Sequence, residues 1–170
     1  MALALDTDHS QMLEIQSNTA ELDENKGTAI YRGAVELSQG SLLITAQTLT
    51  IYNSAEGVSK VIAEGDPAKY SQIINENKEP VHAHAMEITY YPADEKLVLS
   101  KHAKLTQGGS LFEGDKIDYD IQKQRLTANG GTNTEHSTRA NNGTQPSVKQ
   151  STGRVKMVLP PSKSTVTRTE

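Results

Sequence analysis

The sequence predicts an all-β fold of four stacked units, and three observations carry that reading. A core made of a small residue, two polar positions and an apolar–polar–apolar step recurs at residues 17–22, 46–51, 83–88 and 114–119, with starts 29, 37 and 31 positions apart. Around each core the apolar residues alternate with period two, the spacing of a strand with one buried face. No segment sustains the i, i+3, i+4 apolar spacing of a substantial helix. Repetition at about thirty residues marks stacked supersecondary units rather than one irregular globule.

In the first unit Leu13, Ile15 and Ser17 alternate before Ala20 and Leu22. The second runs through Leu42, Ile44 and Ala46, then resumes one step out of phase at Leu49 and Ile51. The third gives Val81 and Ala83, then Met86, Ile88 and Tyr90; the fourth gives Phe112 and Gly114, then Ile117, Tyr119 and Ile121. A one-residue slip turns the buried face outward unless the strand bends or bulges there. The small residue at each slip is therefore read as a corner between two packed sheets. Polar turns at 23–27, 53–57, 92–96 and 122–124 lead into returning strands. Those strands carry Ala29, Tyr31, Val35 and Leu37; Val61, Ala63, Ala68 and Tyr70; Leu97, Leu99, Ala103 and Leu105; and Leu126 and Ala128. Four units of two broken strands give about 16 short antiparallel strands.

Residues 1–131 thus form one β domain. Residues 132–153 hold Ser, Thr, Asn, Gly and Gln with almost nothing apolar, and are expected to be a polar flexible segment. Residues 154–161 alternate weakly before Pro160-Pro161 and are a candidate final edge strand, with 162–170 a disordered tail.

With 170 residues the chain suits one domain, but 35% apolar content, one Phe and no Trp make a thin core. The absence of cysteine fits both a periplasmic protein without disulfides and a cytosolic one. No run approaches the ~18 apolar residues of a membrane span. Met1-Ala2-Leu3-Ala4 reads as the remnant of an export cleavage site. A net charge of −4 argues against nucleic acid, which requires clustered Lys and Arg.

Chemistry-bearing residues are present without a constellation. His82 and His84 share a strand face and could bind a metal, but they lie opposite Val81 and Ala83 and read as solvated, so no metal site is expected. Asp118 and Asp120 similarly lie opposite Tyr119 and Ile121, with Asp115 nearby, as a solvated face. No phosphate loop, cysteine nucleophile or serine with a plausible base is found; the chain is read as no enzyme, with no cofactor. The apolar set itself has two readings. It fills an ordinary sandwich, or two sheets splay and part of it lines a groove, for which Leu, Ile, Val and Met give walls suited to acyl chains.

The strings Gly40-Ser41-Leu42-Leu43-Ile44-Thr45-Ala46-Gln47-Thr48-Leu49, His82-Ala83-His84-Ala85-Met86 and Phe112-Glu113-Gly114-Asp115-Lys116-Ile117-Asp118-Tyr119 resemble the OstA/LptA-type periplasmic lipopolysaccharide-transport family. So does the opening Asp6-Thr7-Asp8 followed by Leu13-Glu14-Ile15-Gln16-Ser17. The resemblance covers about residues 6–131, with 154–161 similar to the family's closing strand and a longer polar stretch between. It implies an open, V-shaped β-jellyroll whose two sheets enclose a hydrophobic groove. It also implies a periplasmic bridge that takes lipopolysaccharide, by its lipid A part, from an inner-membrane complex to an outer-membrane translocon. The implied partners are homologous domains of the membrane-anchored inner component and of the outer-membrane barrel component, together with head-to-tail self-association. With neither anchor nor barrel read in its sequence, this chain looks like the family's soluble middle component.

Corner phasing, combined with the resemblance, gives the expected lipid-binding set. It comprises Leu13, Ile15, Val35, Leu37, Ile44, Leu49, Ile51, Tyr70, Met86, Ile88, Tyr90, Leu99, Leu105, Phe112, Ile117 and Tyr119, with Leu97 and Leu126 in the same phase. A purely structural, self-assembling β-repeat without a lipid ligand is the alternative.

Overall fold

A computed structural model describes residues 8, 10–74, 79–133 and 151–160. The export-site reading at residues 1–4, most of the polar segment (134–150) and the tail at 162–170 lie outside the described residues. The strands are β1 (Glu14–Gln16), β2 (Thr19–Asp23), β3 (Thr28–Gln39), β4 (Leu42–Ser54), β5 (Gly57–Ile73), β6 (Pro80–Tyr91), β7 (Lys96–Gln107), β8 (Ser110–Asp120), β9 (Arg125–Asn129), β10 (Thr132–Asn133), β11 (Ser151–Thr152) and β12 (Lys156–Val158). Ten of them form one antiparallel sheet in the order β1-β3-β4-β5-β6-β7-β8-β12, with β2 also on β3 and β9 also on β8; β10 and β11 pair separately.

The six long strands β3 to β8 hold the key to the architecture. Register shifts fall between Arg32 and Val35, Thr45 and Thr48, Glu64 and Ala68, His84 and Glu87, and Ser100 and Ala103. These shifts align across the sheet and make a fold line. One half-sheet contains β1, residues 35–39, 42–46, 68–73, 80–85, 103–107 and 110–114, and β12. The other contains β2, residues 28–32, 48–54, 57–64, 87–91, 96–100 and 116–120, and β9. Ten continuous strands therefore do the work of the expected 16, because six of them pass through the fold line rather than stopping there.

The bend is made by bulges. Gly33 and Ala34 on β3 face the single residue Gln47 on β4, and Lys101 and His102 on β7 face Asp115 on β8. Such a two-against-one step bends a strand and increases its twist. The returning strands adopt positive φ there: 84° at Gly33, 45° at Ala34, 64° at Lys101 and 55° at His102. Non-glycine residues enter this region only when the flanking structure compels it. Here ladder pairs on both sides of each bulge fix the strand.

The third corner differs from the sequence reading. Ala85, in register with Ala68, is the last residue before the shift, and it is fully buried. Corner starts are therefore 17, 46, 85 and 114, spaced 29, 39 and 29. Ala83 and Ala85 are small and in phase, so local alternation fits either; cross-strand pairing selects the second. One consequence corrects Met86. It sits in the bulge, lining an outer recess with Glu64, Asp66, Lys101 and others, not the interior.

Both half-sheets contribute to a single apolar cluster, which joins Val35, Leu37, Leu42, Ile44, Val81 and Leu105 of the first to Leu49, Ile51, Val61, Ile88, Leu97, Leu99 and Ile117 of the second. Tyr70 and Tyr90 meet across the gap with ring centroids 6.2 Å apart. The halves thus pack face to face, and their alternate residues point to solvent.

Turn chemistry follows the sequence. Asp23 accepts a hydrogen bond from the Lys26 N–H at 3.0 Å, and Asp120 from the Lys123 N–H at 2.8 Å. The β3–β4 turn has a further duty. Gly40 has φ +59°, and a Cβ there would run into the Asp8 carboxylate. Gly40→Ala is expected to lose about 1–3 kcal/mol, combining left-handed strain with displacement of Asp8. Urea unfolding of the single and double variants with Asp8→Ala checks this: the cost of Gly40→Ala should shrink when the carboxylate is already gone. An unchanged cost would place all of it in the backbone.

Candidate apolar groove and its mouth

The fold line joins the half-sheets along one long side, and on the other the residues beside the β3–β4 turn approach those beside the β4–β5 and β6–β7 turns. Leu37, Gln39 and Leu42 of the first half-sheet share a recess of about 300 Å³ with Glu56, Val58, Val61, Tyr90 and Pro92 of the second, and Leu13 lies across it. This is a mouth into the apolar interior.

Of the sixteen expected lipid-binding residues, the structure buries Val35, Leu37, Ile44, Leu49, Ile51, Tyr70, Ile88, Tyr90, Leu99, Leu105, Ile117 and Tyr119 in the shared interior. Ile15 and Phe112 are half-buried against it. Leu13 stands at the mouth, 39% exposed. Met86 alone is turned away from the interior. Leu97 is buried with the cluster and Leu126 packs on its end. Sequence reasoning omitted Leu42, Val58 and Val61 from the lining of the mouth. Leu42 is in phase with Ile44 and follows the turn glycine, a signal that was legible.

Beside the mouth, at the β3–β4 turn and in the interior, are polar groups that alternation could not reveal. The buried Asp8 carboxylate accepts hydrogen bonds from the Ser41 N–H at 2.9 Å, the Ser41 hydroxyl at 2.6 Å and Gln72 Nε2 at 3.0 Å. Gln72 Oε1 accepts in turn from the Tyr70 hydroxyl. Across the interior, the Tyr119 hydroxyl donates to Gln107 Oε1 at 3.2 Å, linking β8 to the end of β7. Gln39 Nε2 donates to the Gln11 carbonyl at 3.1 Å, so residues near the N-terminus are tied along this rim.

Burial raises the Tyr70 phenol well above its usual value, with Tyr90, Tyr119 and Asp8 adding to the effect. Burial, followed by Glu95 and Asp8, pushes Tyr90 up to about 12. Tyr119 is also raised by burial, partly offset by its bond to Gln107. All three phenols are therefore neutral at physiological pH. Uncharged hydroxyls can satisfy their hydrogen bonds at an apolar wall without bringing a charge into it.

The remaining candidates lie outside. His82 is exposed and His84 half-buried, both on the outer face of the first half-sheet. Asp118 pairs with Lys96 and Lys116, each at 3.6 Å, and Asp120 with Lys123 at 3.7 Å. Exposed pairs of this kind add little to stability. Among the described residues, no group of three or more His, Cys, Asp or Glu is arranged to hold a metal.

An open antiparallel sheet folded once about an apolar interior has counterparts among known proteins. Residues 14–125 match the family described as LptA/(LptD N-terminal domain) LPS transport protein. This chain belongs to that family. Among LptA-type relatives, it is 38% identical over 136 residues to the lipopolysaccharide export system protein LptH of Pseudomonas aeruginosa, covering 79% of this chain and 78% of that one. It is 36% identical over 132 residues to LptA of Haemophilus influenzae, covering 76% of each. With LptA of Escherichia coli K12 the identity is 30% over 129 residues, covering 75% and 69%. The crystal structure of LptH, described as the LptA-homologous periplasmic component of a conserved lipopolysaccharide transport device, superposes with a TM-score of 0.75 at 33% identity. That superposition covers 91% of this chain and 99% of LptH. The fold is thus the open β-jellyroll of the LptA type.

Proposed function

We propose that this chain is a periplasmic lipopolysaccharide-transport bridge that holds lipid A acyl chains between its half-sheets. It passes lipopolysaccharide from the inner-membrane complex to the outer-membrane translocon through head-to-tail strand contacts. The observation that carries the reading is the single apolar interior shared by both half-sheets, together with its mouth at Leu13, Leu37, Leu42, Val58, Val61 and Tyr90. Burying one CH₂ contributes about 0.8 kcal/mol, so several acyl chains supply ample affinity while the sugars remain in water. Admission of a whole chain requires the half-sheets to part, because Ile44, Leu49, Leu99 and Ile117 have no exposed surface.

Both ends support the head-to-tail part of the reading. β1 and β2 end the two half-sheets on one side, β12 and β9 on the other. Met12 (90% exposed) and Leu22 (65%) lie at the first end, Met157 (56%) and Leu159 (61%) at the second. An unpaired edge with apolar neighbours recruits another strand, from a copy of this chain or from the homologous domains of the inner and outer components.

Photo-crosslinking groups at Leu37, Tyr90 and Leu13 are expected to capture lipopolysaccharide in the periplasm, and those at Asp118 and Glu87 on the outer face are not. Equal capture at the two sets would remove the groove. No capture anywhere, with self-association retained, would favour the structural β-repeat.

A further inference from the structure

The outer face of the first half-sheet carries a basic group that the transport reading leaves unused. Lys69 of β5 is in register with His84 of β6, and His84 with Lys104 of β7, so the three stand side by side across the sheet. Ser71 and His82 pair with each other in the next row on this face. A recess of about 450 Å³ is lined by Leu43, Thr45, Lys69, Ser71, His82 and His84 together with the backbone between them.

Adjacent like charges destabilise a sheet. This chain, with a net charge of −4, has no surplus of base to scatter. The next position in the row is Glu113, but it is shared by Lys104 at 3.0 Å and Lys156 at 3.4 Å. Lys69 forms no ion pair among the described residues. The resulting field is felt at His84, whose imidazole is lowered by burial and then by Lys104 and Lys69, with Glu113 opposing. A cation is disfavoured here, since only two imidazoles are present and the ammonium groups of Lys69 and Lys104 flank His84. Ammonium, imidazole N–H and hydroxyl donors around one hollow are the set that a phosphate uses.

We propose that this recess binds a phosphate group on the saccharide part of the lipid whose acyl chains the interior holds. The proposal rests on the transport reading for the source of the phosphate. The distances allow it. Leu42 faces the interior at the rim, and Thr45 is three residues further along β4, about 10 Å at strand spacing. A sugar chain leaving the mouth and folding over the β3–β4 turn reaches the patch.

NMR titration of the full chain tests it, with inorganic phosphate, glucosamine 1-phosphate, intact lipopolysaccharide and phosphatase-treated lipopolysaccharide as probes. Shifts are expected at Ser71, His82 and His84 with the first three. The His84 titration midpoint should rise as phosphate binds, because the anion stabilises the imidazolium. Lys69→Ala should weaken phosphate binding about tenfold and Lys69→Arg restore most of it, while Lys60→Ala on the other half-sheet changes nothing. Shifts spread over all lysines, or equal loss in Lys60→Ala, would overturn the site. So would zinc perturbing His82 and His84 where phosphate does not. Equal binding of intact and phosphatase-treated lipid at this face would overturn the lipid-linked source. If capture at Tyr90 fails while the phosphate shifts persist, the transport reading falls and the anion site stands.

Discussion

Leu99→Ala is expected to destabilise the protein by about 2–5 kcal/mol, the range for removing a fully buried leucine. Leu99 has no exposed surface, is paired with Ile88 and Ile117 on its neighbours, and lies between the half-sheets. Its loss leaves a cavity on the seam that joins them, where neither backbone can collapse without breaking ladder bonds. Leu43→Ala is the matched control. That leucine is 38% exposed on the outer face, and its truncation should change stability by no more than about 0.5 kcal/mol. Urea denaturation of both variants checks the difference. Similar losses would mean that the interior is loosely packed and that the phase assigned to β4 and β7 is not what holds the halves together.

Proline at the two sheet ends should separate assembly from folding. Ile15 on β1 and Val158 on β12 each belong to a strand paired on one side only, with Leu37 and Leu111 respectively as partners. Proline removes one N–H and is tolerated best on an edge strand. Stability should fall by about 1 kcal/mol or less at the exposed Val158 and by somewhat more at Ile15, which also loses packing against the interior. Head-to-tail association should fall by at least about tenfold, equivalent to about 1.4 kcal/mol. Both strands end the same half-sheet, while β2 and β9 end the other, so a head-to-tail contact would continue both halves at once. A head-to-tail interface would be heterologous, which gives a sharper test. Each single variant keeps one good end and cannot extend alone, yet a mixture of the two should form a dimer. Sedimentation velocity of the singles, the mixture and the double variant would show this. Unchanged sedimentation in the double variant would rule out strand addition at these edges.

Much of this architecture is local in origin and so was legible in the chain. Period-two burial needs only a strand and one apolar side, and Leu42, Ile44, Leu49 and Ile51 declare both the strand and the slip between Ala46 and Leu49. The turns are similarly local, since Asp23 and Asp120 bond the backbone three residues on. What alternation could not decide is which of two equivalent small residues makes a corner. Ala83 and Ala85 are indistinguishable by pattern, and only the pairing of Ala68 with Ala85 places the bend and turns Met86 outward.

The mouth lay further out of reach. Asp8 meets Ser41 across 33 positions and Gln72 across 64, while Lys69, His84 and Lys104 come from three strands. Composition and periodicity describe a residue's own strand and carry no term for separations of that size. The sequence by itself determined the β class, the corners in three of four units and the apolar face of each strand, because those follow from nearest neighbours along the chain. Cross-strand register and the meeting of two half-sheets decided the mouth, its neutral phenols and the basic row outside, because those groups become neighbours only when the sheet has folded.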